Sequence, residues 1–132
     1  MPESLKGLLD VNVLIAHAIV EHEHHRRVVH WHRKLPKTAR LFSCPITELG
    51  LIRNVMRILG VGVDDARTLL DNERKNLRLT LVPDTLSGGD LPHWVQGYRQ
   101  TTDAYLSELA KHNGLRFVTL DKQIPASLQI LG

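Results

Sequence analysis

The chain has 132 residues, 42% of them hydrophobic and 23% charged, enough to bury the core of one domain spanning 1–132 and too few for a second. Seventeen Lys and Arg against fourteen Asp and Glu leave a formal charge of +3, which suits a polyanionic partner without requiring one. The single cysteine, Cys44, excludes an internal disulfide and a thiolate zinc centre and fits a reducing, cytoplasmic setting, while the lack of a leader-like or bilayer-length apolar run argues against secretion or membrane insertion.

Lys6 to Leu9 reads as a short buried strand, after which Asp10 interrupts the apolar run Leu8-Leu9-Asp10-Val11-Asn12-Val13-Leu14-Ile15. Burying an unpaired carboxylate is costly. Asp10 either caps a helix starting near Asn12 or serves chemistry at the carboxyl end of a parallel strand, where open α/β sheets bind ligands. For Asn12 taken alone, a second cap outweighs support of the Asp10 carboxylate. The helix runs to about Val20, and Glu21 to His25 breaks it before a second helix to about Leu35, stopped by Pro36. The five histidines from His22 to His32 lack His-Glu-x-x-His spacing, since position 26 is Arg, and read as a wet helix face rather than a zinc site.

Arg40 to Ser43 is a strand candidate, and Ser43-Cys44-Pro45 starts a helix to about Leu59. Glu48 falls on that helix's inward stripe with Leu51, Ile52, Val55 and Leu59. This position suits a wet cleft, the alternative being an acid held by the helix dipole. After Gly60 and Gly62, Val63 to Lys75 is a helix with Ala66, Leu69 and Leu70 inward and Asp64-Asp65 in its first turn. Leu77 to Val82 alternates like a strand, Leu86 to Pro92 is a loop, and His93 to Gln100 reads as helical. Thr101-Thr102-Asp103 opens a last helix ended by Asn113-Gly114. Arg116 to Asp121 is a strand that, like the first, ends in a carboxylate, and from Ile124 onward a turn and an edge strand follow. Two basic clusters, Arg26 to Arg40 and Arg74 to Arg78, read as solvated helix faces.

This alternation predicts an α/β fold with a central, mostly parallel sheet flanked by helices. The helix from Asp103 travels about 15 Å away from one sheet edge, and the strand to Asp121 returns about 16 Å, so Asp103, Asp121 and Asp10 share a rim. Glu48 joins them by the same rule. Four carboxylates at one edge repel one another unless a divalent cation sits among them, and Mg2+ or Mn2+ suits an all-oxygen set.

With Asp10, Glu48, Asp103 and Asp121 in that order, carried by Leu8 to Ile15, Pro45-Ile46-Thr47-Glu48, Thr101 to Leu106 and Phe117-Val118-Thr119-Leu120-Asp121, the chain resembles the PIN-domain nucleases, and among them the VapC-type toxins of bacterial type II toxin–antitoxin pairs. The resemblance implies a metal-dependent endoribonuclease with Asp10, Glu48, Asp103 and Asp121 as catalytic acids and metal ligands. It also implies supporting roles for Asn12 and the hydroxyl of Thr119, 5′-phosphate and 3′-hydroxyl products, an RNA substrate, a VapB-like antitoxin and a homodimer. Some members carry a further acid at the position held here by Gln123, which bears on a second ion and not on the fold. A haloacid-dehalogenase-like phosphatase would need an acid where Asn12 stands, and a receiver-like domain would need adjacent early acids. The remaining rival is a PIN-like domain that binds RNA or an antitoxin without cleaving.

Overall fold

In a computed structural model, which describes residues 4–125 and 127–130, five strands form one parallel sheet in the order β3-β2-β1-β4-β5. The strands are β1 (Lys6–Leu9), β2 (Arg40–Ser43), β3 (Thr80–Leu81), β4 (Arg116–Thr119) and β5 (Leu128–Gln129). The helices are α1 (Val11–Ala18), α2 (His25–Arg33), α3 (Pro45–Leu59), α4 (Val63–Leu77) and α5 (Thr101–His112).

The first strand lies at the centre because Gly7, Leu8 and Leu9 are apolar on both faces, the pattern of a strand covered on both sides. Leu8 pairs in register with Phe117 and Leu9 with Val118, and the pairs point opposite ways. Leu9 and Val118 join the core beneath α1, α3 and α4, whereas Leu8 and Phe117 join Leu106, Leu109 and Ala110 of α5. Gly7 permits the close approach of β1 and β4, since a Cβ there would lie 2.7 Å from Val118 Cγ2.

Element boundaries depart from expectation in four places. The strand expected from Leu77 to Val82 shrinks to Thr80–Leu81, because Leu77 completes α4 and Arg78 turns left-handed at φ 53°. That conformation costs a non-glycine residue about 1–2 kcal/mol. His93 to Gln100 is not an α-helix: only Tyr98–Gln100 forms a 3-10 turn after an extended Gly97. The fourth strand stops at Thr119 rather than Asp121. Finally, α1 and α2 end at Ala18 and Arg33, each two residues short of expectation. The left-handed stop after α5 is present at Gly114, φ 68°, and β5 is an edge strand as read, though Leu131 and Gly132 lie outside the described residues.

Candidate active site

Every crossover of a parallel sheet begins at the carboxyl ends of its strands, so the residues after β1, β2 and β4 gather on one rim. Asp10 stands there, directly after β1. It is the N-cap of α1, with Val11 N donating to Oδ1 at 2.7 Å, and it is buried, at 4% exposure. Thr119, the last residue of β4, donates its hydroxyl to Asp10 Oδ2 at 2.7 Å. The same Thr119 oxygen accepts from Asp121 N at 3.0 Å and from Asn12 Nδ2 at 3.3 Å. Asn12 Oδ1 accepts from Leu120 N at 3.3 Å. Asn12 therefore does not act as the second helix cap weighed from sequence; it ties α1 to the end of β4 and fixes the hydroxyl that holds Asp10.

Burial is the main cause that pushes Asp10 up to about 6; the bonds from Thr119 and Val11 pull the other way, and the charges of Asp103 and Asp121 add to the rise. Asp103, in the first turn of α5, is raised by burial and then by Asp121. The charges of Asp103 and Asp121 both act on Asp10, and that of Asp121 acts on Asp103, so the three carboxylates lie within electrostatic reach of one another. Asp121 Oδ1 also accepts from Gln123 N at 2.8 Å, so Gln123 braces the last acid through its backbone.

The expectation of four mutually repelling carboxylates is corrected at Glu48. Its carboxylate is gripped at both oxygens by Arg74 of α4, Nη2 to Oε1 at 2.6 Å and Nε to Oε2 at 3.1 Å, and accepts from Ser43 Oγ at 2.8 Å. Glu48 is thus a paired charge, and it does not figure among the charges acting on Asp10. Sequence reading missed Arg74 as its partner, although a signal existed. Helices α3 and α4 form an antiparallel hairpin about Val61, and Glu48 and Arg74 stand equally far from it in the chain.

A second buried pair went unread. His17 Nδ1 and Glu73 Oε2 lie 2.6 Å apart between α1 and α4, at 12% and 7% side-chain exposure. Glu73 lies on the buried side of α4 with Ala66 and Leu70. The histidine run is likewise not all surface: His25 Nδ1 is bonded to Ala16 O at 2.8 Å, and the His32 ring stands edge-on to His17. Cys44 is fully buried, and burial pushes its thiol up to about 11, so it supplies no thiolate.

The donor set at the rim, three carboxylates with two held above their ordinary range by burial and by one another, suits a hard divalent cation. Among the described residues no three His, Cys, Asp or Glu side chains are grouped closely enough to hold a metal ion, so an ion at this rim would have to take much of its shell from water, as Mg2+ does.

Residues 7–126 match the model of the PIN domain family. The chain is 38% identical over 121 residues to "Ribonuclease VapC38" of Mycobacterium tuberculosis, covering 87% of this chain and 84% of that one. It is 36% identical to "Ribonuclease VapC29" of the same species, over 86% and 84%. Among solved structures it shares its fold with a chain of the VapBC2 complex from Rickettsia felis bound to a promoter DNA fragment, at a TM-score of 0.64 and 14% identity over 95% of this chain and 97% of that one. The chain belongs to the PIN-domain family, on its VapC branch.

Proposed function

We propose that this protein is a Mg2+- or Mn2+-dependent endoribonuclease, the toxin of a toxin–antitoxin pair, with Asp10, Asp103 and Asp121 holding the ion. The observation that carries the reading is the three-aspartate rim, in which a buried Asp10 is kept well above the usual carboxylate range while Thr119 and Asn12 fix its direction. Bound there, the ion would supply an activated water and screen the phosphate's charge. The chain's own residues do the rest. Thr119 keeps the Asp10 carboxylate aimed, and Asn12 keeps Thr119 from rotating. Glu48, neutralised by Arg74, serves as a positioning acid that anchors α3 and α4 beside the rim.

An antitoxin partner is supported by the VapC relatives and by the VapBC2 complex whose fold the chain shares. For a homodimer the support is exposed apolar surface: Leu49 and Leu59 of α3 and Val63 of α4 are 62%, 44% and 43% exposed, Leu59 standing outside the inward stripe expected for it. No helix among the described residues is long and apolar enough to cross a membrane, and with the lone thiol buried a cytoplasmic site of action fits. The test is cleavage of total RNA with Mg2+ or Mn2+ and with excess EDTA, for wild type and Asp10→Asn. Metal-dependent cuts leaving 5′-phosphates and absent from the variant are expected. Equal cleavage in EDTA, or a 2′,3′-cyclic phosphate product, overturns the mechanism, and no cleavage under any condition leaves a binding domain.

A further inference from the structure

The edge of the sheet opposite the aspartates is as basic as the rim is acidic. Lys6, Arg40 and Arg116 open the three central strands in adjacent registers, about 13 Å from the rim at 3.3 Å per residue. Beside Arg40 lies a cavity of about 590 Å³ whose lining includes Arg33, Lys37, Arg40 and Arg78 and no acid. Leu41 and Leu77, each 4% exposed, are among its apolar wall residues. Among the described residues none of the four cations has a carboxylate within 4 Å. Arg33 sits in the last turn of α2, where offsetting the helix dipole accounts for it. Lys37 and Arg40 are outside any helix, and Arg78 occupies the left-handed cap that glycine fills most easily. An arginine is kept there at the expense of the backbone.

We propose that this cavity is a second RNA site, which binds backbone phosphates of the substrate on the face away from the carboxylates. The inference rests on the nuclease reading for the identity of the polyanion. Three aspartates at the rim repel a phosphodiester, so affinity has to be gathered from cations elsewhere, and phosphate contacts set the register in which an RNA is presented. Arginine forks match phosphate oxygens two at a time, and a structured RNA reaches from one edge of so small a fold to the other.

The test measures binding of a fluorescently labelled RNA hairpin by anisotropy in EDTA, over a series of salt concentrations, for wild type, Arg40→Gln, Arg78→Gly, their double variant, and Arg67→Gln as an exposed control already paired to Asp64. The double variant should bind several-fold more weakly, with a salt dependence shallower by about 1.4 in log–log slope, roughly 0.7 for each lost contact. Arg67→Gln should match wild type. Arg78→Gly separates a binding role from a structural one, since removing the left-handed arginine should leave the melting temperature unchanged or higher while affinity falls. Unchanged slope and affinity overturn the proposal, as does a loss of affinity that appears only with a lowered melting temperature. Displacement of the RNA by micromolar AMP in wild type alone would reassign the cavity to a nucleotide, and loss of binding to anionic vesicles with RNA binding intact would reassign it to a membrane surface; either overturns it. Because cleavage plays no part, a protein that binds this way but cuts nothing defeats the nuclease reading alone, and one that cuts but ignores these variants defeats this inference alone.

Discussion

Asp10→Asn should stabilise the metal-free protein near neutral pH and do nothing for it in acid. Asp10 has a native value of about 6 against about 3.8 for a free aspartate side chain, so the folded chain keeps this proton over a window in which the unfolded chain has lost it. The stability contributed by Asp10 is fully present below about 3.8 and is lost as pH rises through about 6. At pH 7.5 the charged form costs the fold about 3 kcal/mol, and at pH 4.5 about 1 kcal/mol. Asparagine removes that cost and introduces another. Thr119 must keep donating to position 10, because its oxygen already accepts from Asp121 N and Asn12 Nδ2, so the new amide NH2 faces Val11 N and one bond worth about 1 kcal/mol is lost. The net is a gain of about 2 kcal/mol at pH 7.5 and close to zero at pH 4.5, read as several degrees in Tm at the higher pH. Urea melts in EDTA at both values measure it, and repeating them with Mn2+ adds a second arm, in which wild type should gain stability by mass action and the variant much less. A variant equally destabilised at both pH values would refute the reasoning and reduce Asp10 to a helix cap.

Glu48→Gln should have the opposite sign, lowering stability in EDTA by roughly 1–2 kcal/mol because a largely buried acid loses its bidentate partner, discounted because Arg74 is 43% exposed; urea midpoints compared with Asp10→Asn show the contrast. Glu73→Ala should cost about 2–3 kcal/mol by leaving the 12% exposed His17 unpartnered, whereas Asp65→Asn on the same helix should cost a few tenths of a kcal/mol, and thermal melts separate them. Gly7→Ala should destabilise by about 1–3 kcal/mol, since its methyl would meet a stiff Val118 side chain at 2.7 Å, and amide exchange in β1 and β4 should rise together.

The gathering of the strand ends was legible because it follows from topology. Strand ends are marked in the sequence by a carboxylate at or just beyond an apolar run, directly after Leu9 at Asp10 and two residues past the end of β4 at Asp121, and parallel crossovers bring such ends together whatever the side chains between them. The pairing of Glu48 was harder to read, because an acid on an inward stripe looks the same from its own helix whether a cleft or an arginine faces it; only the α3–α4 hairpin as a unit tells them apart. Asn12 misled for a related reason. Its short amide satisfies a helix end or a distant strand equally well, and the distant partners, Thr119 and Leu120, are over a hundred residues away. Arg78 defeated the strand pattern because alternation from Leu77 to Val82 continues through a residue whose backbone has turned left-handed.

The sheet order also sets when during synthesis the site can exist. Strand β1 is made first and can pair with β2 once residue 43 is available, but its other edge stays open until β4, residues 116–119, arrives beside it. Such distant pairing closes slowly and late. Thr119 and Asp121 lie on the arriving side, so a nascent chain carries Asp10 without the hydroxyl that aims it or the acid that faces it. A ribosome making this protein therefore holds no assembled carboxylate rim until β4 has emerged, and truncation anywhere before β4 should yield a fragment without the site rather than a weakened enzyme.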